Sequence, residues 1–291
     1  MVKIVEKKKL WFSISIAIIA IGIFFMAFKG LNIGIDFKGG SKVVLELGSD
    51  FDKQEVDDIV KGYVSDAVTN TVDDTQYQIK STDLDSETLS KLINELKEKY
   101  SLEDDMLVSQ DEIGASIGKD LTEKALTALV IAFVAMLIYI AIRFEFKSGI
   151  VALIALFHDV LITFSVYAIF DLTINSPFIA AILTIVGYSI NATIVIFDRI
   201  RENEKKIRRK SSAEIINLSV NQTMKRSIYT TITTLFTIVS VYVFVPSVRE
   251  FAFPIIVGII SGGYSSVLIA PSLWHVIRSK KKSKKMKEVI A

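Results

Sequence analysis

Residues 187–203 read GYSINATIVIFDRIREN. The stretch opens with Gly187, Tyr188, Ser189 and Asn191 inside an apolar run, and closes with Asp198, Arg199, Arg201 and Glu202. Polar groups at the depth of lipid tails are costly, and a charged end marks the return to water. The stretch therefore reads as the end of a membrane helix that lines something polar, rather than as a plain anchor.

Apolar runs of the same kind lie on both sides. A helix needs about 20 such residues to cross ~30 Å of hydrocarbon. Residues 10–28, 121–142, 148–170, 177–197, 227–248 and 251–277 each meet that length, and the run 148–170 is interrupted by His158 and Asp159. The 291-residue chain is 51% hydrophobic with a mean hydropathy of +0.45, yet 23% charged, so charged and apolar residues are segregated along it. The run at 10–28 follows Lys3, Lys7, Lys8 and Lys9. It is long for a signal peptide and no small-x-small site follows it, which favours an uncleaved first span over a leader.

Residues 31–119 are polar, with 20 acidic residues against nine lysines. Residues 41–47 alternate like a strand, 52–68 and 86–100 have helical spacing with Asp52 and Ser86 as caps, and 76–80 and 105–110 read as further strands. The β-α-β-α-β order predicts a small two-layer α/β domain. It holds no histidine, phosphate-binding glycine loop or nucleophile constellation, so its acidic excess reads as a solvated surface. Thiolate metal sites and disulfides are excluded by the absence of cysteine, and two histidines are too few for a histidine-rich metal site.

Lysine and arginine orient the spans. They cluster before the first run, at Arg143 and Lys147, through 199–226, and in the tail from Arg278 to Lys287. Both ends are then expected on the cytoplasmic side and the acidic domain outside. The expected fold is a polytopic α-helical membrane protein: a basic lead and first span (1–30), an extracytoplasmic acidic α/β domain (31–119), spans two to four (120–198), a basic cytoplasmic loop (199–226), spans five and six (227–277) and a basic tail (278–291). Within the loop, Ser211 and Glu214 fit a capping box for a short surface helix over 211–222, with an ordinary connector as the alternative.

At 1.5 Å per residue, Asp159 lies about 16 Å deep and Asn191 about 10 Å deep. Thr230, Thr231, Thr233, Thr234 and Thr237 of the fifth run and Ser261, Tyr264, Ser265 and Ser266 of the sixth overlap that depth. Asp159 is expected to face the bundle interior, because a mid-membrane charge costs at least ~2.5–3.5 kcal/mol. His158, one residue away, is expected to point elsewhere. Its alternative roles are titration near neutral pH or a plain hydrogen bond. Threonines and serines in such helices also bond their own backbone, and Gly258, Gly262 and Gly263 suit close helix packing.

Four pieces of the sequence together resemble the SecF family of bacterial protein-export membrane subunits, itself similar to half of an RND-type transporter. They are GIDFKGG at 34–40, HDVLIT at 158–163, the stretch 187–203, and REFAFPIIVGIISGGYSSVLIAP at 249–271. Taken alone, Gly34, Asp36, Gly39 and Gly40 indicate only a tight turn at the membrane surface. The resemblance implies six spans in the bacterial cytoplasmic membrane and no enzymatic activity. It implies a SecD-type partner, a SecYEG channel and a YidC-type insertase nearby, with unfolded exported polypeptides as cargo and no nucleic acid. It also implies no cofactor beyond a coupling ion, proton or sodium. Members usually carry an aspartate after the asparagine of GYSIN; here that position is Ala192, which cannot titrate. The ion-pathway candidates are then Asp159, His158, Asn191, Thr233, Thr234 and the matched Arg226, with Gly34, Asp36, Gly39, Gly40, Gly187, Tyr188, Asp198, Arg199, Gly262 and Gly263 as the structural motif. A half-size exporter of lipids or small molecules, and a scaffold for the partner without ion coupling of its own, are the alternatives.

Overall fold

The computed structural model describes residues 2–48, 51–72, 75–100, 102, 106–143, 146–207 and 209–278. Among the described residues, six helices are long and apolar enough to cross a membrane. They are α1 (Lys8–Lys29), α5 (Ala115–Arg143), α6 (Phe146–Ile169), α7 (Ser176–Lys206), α8 (Ser212–Phe244) and α9 (Arg249–Tyr264), the last continuing through a π-helical turn, Ser265–Ile269. Arg208, the turn residues 144 and 145, and the tail lysines from Lys280 onward lie outside the described residues.

Between α1 and α5 sits a sheet domain. A short helix, α2 (Ile35–Lys38), leads into β1 (Gly40–Glu46), α3 (Lys53–Tyr63), β2 (Val68–Val72), β3 (Gln76–Ser81), α4 (Ser86–Tyr100) and β4 (Leu107–Ile113). The sheet is antiparallel, ordered β2-β3-β1-β4. Val43, Leu45, Tyr77 and Ile79 of the strands pack against Val56, Val60, Leu89, Leu92 and Leu96 of the helices. The domain thus has four strands where the sequence pattern predicts three. The extra strand, VTNTV, is a sheet edge, and an edge strand can form without the apolar alternation that marks a buried one. The cap of α4 is also one residue earlier than expected: Asp85 Oδ1, not Ser86, accepts the Thr88 N–H at 2.7 Å. Asp52 caps α3 as expected, accepting from Gln54 N at 2.8 Å.

The GIDFKGG segment ties the domain to the bundle. Gly39 and Gly40 have φ of +86° and +140°, a region that favours glycine. Asp36 does more than mark a turn. Its Oδ2 accepts the Ser176 N–H at 2.8 Å, so it caps α7 from a distant part of the chain. Gly34 N–H donates to Ile174 O at 2.9 Å, and a side chain on Gly34 would strike the Asn175 amide.

At the opposite end of the bundle the expected short helix is not separate. The Ser211–Glu214 capping box forms, but the helix it starts runs unbroken into the fifth span. No proline or glycine lies in Ser212–Phe244 to stop it. The fourth span likewise runs on to Lys206. The two extensions are pinned side by side: Asn203 Nδ2 donates to Ser219 Oγ and Gln222 Oε1, both at 2.8 Å, and Arg199 Nε to Gln222 Oε1 at 2.7 Å. Asp198 pairs with Arg201 at 3.6 Å. Asn217 Oδ1 then accepts the backbone N–H groups of Ile4 and Val5, burying both residues.

Asp57 joins three elements of the sheet domain. It accepts from Lys53 Nζ at 2.6 Å and Thr69 Oγ1 at 2.7 Å, and from the Tyr77 hydroxyl. Burial pushes its carboxyl up, but those hydrogen bonds outweigh burial and hold it below the usual carboxylate range. Asp66 is held down the same way, by Ser81 and Thr82 against burial. Groups with lowered folded values stabilise fully above about pH 4 and lose that contribution as pH falls through those values. Protection of β2 and β3 against hydrogen exchange in the intact protein, relative to the unfolded chain at the same pH, should therefore fall below about pH 4. Asp57→Ala should cost the domain about 1–3 kcal/mol at neutral pH, by leaving the buried Tyr77 hydroxyl unpaired.

Candidate functional site

The third span, α6, runs through the centre of the bundle, packed by α1, α7 and α9. Asp159 is on it and has no exposed surface. Moving a carboxylate out of water costs several kcal/mol. Four side-chain donors converge on it. Ser189 Oγ of α7 lies 2.5 Å from Oδ2, and Ser265 Oγ of the π turn 2.7 Å from the same atom. Ser261 Oγ of α9 lies 2.7 Å from Oδ1, and His158 Nδ1 2.9 Å from it. Buried polar atoms need hydrogen-bond partners, and this set supplies them to both carboxyl oxygens.

The convergence depends on close helix approach. A Cβ on Gly262 would lie 3.2 Å from the Ser189 Cβ, and one on Gly258 would lie 2.3 Å from the Ile185 side chain. Glycine at both positions lets α7 and α9 touch, which brings Ser189 and Ser261 to one carboxylate. The π turn adds the third hydroxyl. Serines at 261 and 265 are four residues apart, so both fall on the helix face that meets Asp159.

His158 does not point away. Adjacent helix positions are about 100° apart, but the imidazole is long enough to fold back onto its neighbour's carboxylate. Its other nitrogen, Nε2, lies 2.8 Å from Ser15 Oγ of α1. Ser15 Oγ is in turn 3.4 Å from the Tyr264 hydroxyl, which donates to Trp11 O at 2.7 Å. The Tyr264 ring stacks on the imidazole with centroids 6.2 Å apart. A polar chain thus leads from Asp159 through His158 and Ser15 to the end of α1 that is remote from the sheet domain. Ser15 escaped the sequence reading. Its signal is weak, one of two serines in a run otherwise apolar from Leu10 to Phe28.

The other candidates lie elsewhere. Asn191 is exposed, about 200° around α7 from Ser189. Gly187 is exposed too, with open space where a side chain would be. Thr233 and Thr234 bond backbone carbonyls of their own helix at 2.9 and 2.8 Å, to Tyr229 and Thr230. Arg226 is exposed. The fifth span therefore adds nothing to the Asp159 cluster. Within the membrane-depth part of α8, a link to α7's polar residues is the Tyr188 hydroxyl, which donates to Thr231 Oγ1 at 3.2 Å, where Gly263 also packs close. Arg199 serves the α7–α8 hairpin, with Glu202 and Gln222 as partners.

Residues 91–280 match the C-terminal part of the SecD/SecF protein-export membrane proteins, and residues 24–50 match the SecD/SecF GG motif. The chain belongs to the SecF family. It is 37% identical to the protein translocase subunit SecF of Sebaldella termitidis, over 98% of this chain and 95% of that one. The SecF of Calditerrivibrio nitroreducens is 38% identical over 95% and 94%. Against the fused SecDF of Bacillus subtilis the chain covers 37% of the relative's length, at 34% identity. The crystal structure of SecDF from Thermus thermophilus, a translocon-associated membrane protein, superposes with a TM-score of 0.80 at 31% identity, over 95% of this chain and 38% of that one.

Asp159→Asn keeps the shape but replaces one acceptor oxygen with an N–H₂ that faces serine donors. It should lower stability in detergent by about 2 kcal/mol, read as a drop in Tm. Asp159→Asn with Ser265→Ala, which relieves one of the opposed donors, should recover part of that loss.

Proposed function

We propose that this chain is the SecF-type subunit of the bacterial protein-export machinery and works with a SecD-type subunit that supplies the other half of the membrane bundle. The observation that carries the reading is the likeness of nearly the whole chain to just over a third of fused SecDF chains. The rest of such a chain is the counterpart of the SecD-type subunit. Exposed faces of α7 and α8, including Asn191 and Phe236, suit cover by that partner. The setting is the cytoplasmic membrane, with both ends of the chain inside and the sheet domain outside, as the lysine and arginine distribution supports. The chain acts on exported, unfolded polypeptides beside a SecYEG-type channel, with a YidC-type insertase as a further neighbour. It makes and breaks no covalent bond.

Ion coupling in this chain runs through Asp159. The carboxylate and the imidazole beside it suit a proton better than sodium. Three hydroxyl donors and an imidazole nitrogen already occupy the carboxylate, and a ring nitrogen is a poor ligand for a hard cation. Protonation would turn one oxygen from acceptor to donor and oblige a serine to turn away. Ser265 has an alternative acceptor in reach, Gly262 O at 3.4 Å.

A second reading, a scaffold for the partner without its own coupling, is favoured by Ala192. Export into membrane vesicles separates the two. With a proton gradient imposed, Asp159→Asn should slow translocation at least tenfold while still co-purifying with the SecD-type subunit. Unchanged translocation would leave the scaffold. Absence of both SecD-type and channel subunits from detergent extracts of the parent protein would overturn the export reading itself.

A further inference from the structure

The sheet domain and the bundle have separate apolar cores. None of the buried residues around Leu45, Tyr77 and Leu92 belongs to the clusters among the spans. Apart from the connecting chain, the two meet where β2 lies against residues 246–248 and through polar contacts. Lys80 of β3 forms an ion pair with Glu250 in the first turn of α9. The other oxygen of Glu250 accepts from Asn175 Nδ2 at 3.0 Å, at the residue just before α7. Glu250 thus holds the sheet domain, α7 and α9 at one point.

Three features show that this point can give. The Glu250 side chain is 34% exposed while that of Lys80 is 10% exposed, so water reaches the pair from the carboxylate side. Pro254 has no N–H to donate to the Glu250 carbonyl, so the turn that carries Glu250 lacks one helical bond. Asn175 Oδ1 is buried without a hydrogen-bond partner, so the site holds an unused acceptor. The helices gripped here are also the two whose serines hold Asp159, deeper in the bundle.

We propose that Glu250 is a releasable clasp, which positions the sheet domain on the ends of α7 and α9 and lets go when those helices shift against each other. The clasp deepens the export reading above and rests on it for its purpose, but its existence is testable without export. This chain has no cysteine, so Lys80→Cys with Glu250→Cys places one pair of thiols on it, which a bis-maleimide with a reducible linker can bridge in the full protein with its partner subunit.

The cross-link should slow translocation at least tenfold and be reversed by reduction of the linker, which also shows that the double variant folds. Equal translocation by the cross-linked and reduced forms would overturn the clasp. Charge reversal supplies an independent reading. Lys80→Glu and Glu250→Lys should each speed hydrogen exchange of β3 and of residues 246–254 several-fold, and the double reversal should restore it. In Glu250→Lys with Lys80→Glu the ammonium meets both the new carboxylate and Asn175 Oδ1. Exchange unaffected by the single reversals, or not restored in the double, would overturn the clasp whatever export does. Restored exchange in a protein whose parent supports no translocation would support the clasp and sink the export reading instead.

Discussion

A carboxylate without any contact with solvent is the most expensive group in this bundle, and the bundle is arranged to keep it. Four donors from three helices close on Asp159: Ser189, Ser261, Ser265 and its own neighbour His158. Each needs its helix at a particular distance. Gly258 and Gly262 remove the side chains that would hold α7 and α9 apart. Gly22 does the same between α1 and α6, where a Cβ would lie 2.2 Å from Ser165, and that approach carries Ser15 to His158. In lipid the apolar faces of helices have little reason to prefer each other over hydrocarbon. Polar contacts and close small-residue packing therefore decide which helices meet, and here both point to one residue.

The same two helices end in the clasp at Glu250. α7 begins beside Asn175 and carries Ser189 about 20 Å further on, while α9 begins at Arg249 and carries Ser261 about 18 Å further on. The two grips are therefore at opposite ends of one rigid pair. A movement too small to break the packing at Ile185 and Gly258 can still matter at the far end, because a lever of that length magnifies a tilt. The π turn at Ser265–Ile269 lies just beyond Ser261, on the side away from the clasp. Between the two grips, Pro254 removes one helical bond close to the clasp end.

Much of this was legible in the sequence because the solvent imposes it. In lipid the backbone must satisfy itself, so six uninterrupted apolar runs become six helices. The insertion cost of Asp159 alone predicted that it faces inward. Lateral contacts were not legible. Asn191 and Ser189 are two residues apart in one polar stretch, and only the packing of α9 decides which of them turns in. The threonines of the fifth span looked like a polar lining because composition counts hydroxyls without saying where they bond. His158 was misjudged because adjacent helix positions diverge at Cβ, whereas a long ring can turn back. In the sheet domain, VTNTV carries no apolar alternation, since an edge strand need not bury both faces. Asp36 was read as part of a turn because its partner, Ser176, lies 140 residues away.

Ala192 and Asp159 are not exchangeable positions for a charge. Ala192 is half-buried at the rim of α7, between the buried Ser189 face and the exposed Asn191 face. A carboxylate there would be felt by whatever covers α7. Asp159 is enclosed by this chain's own hydroxyls and imidazole, so its hydrogen-bond partners all come from this chain. A change of protonation at Asp159 can act at a distance only by moving the helices that hold it. That is why the placement of Ser261 and Glu250 on one helix, and of Ser189 and Asn175 on or beside another, matters more than the distance from Asp159 to any surface.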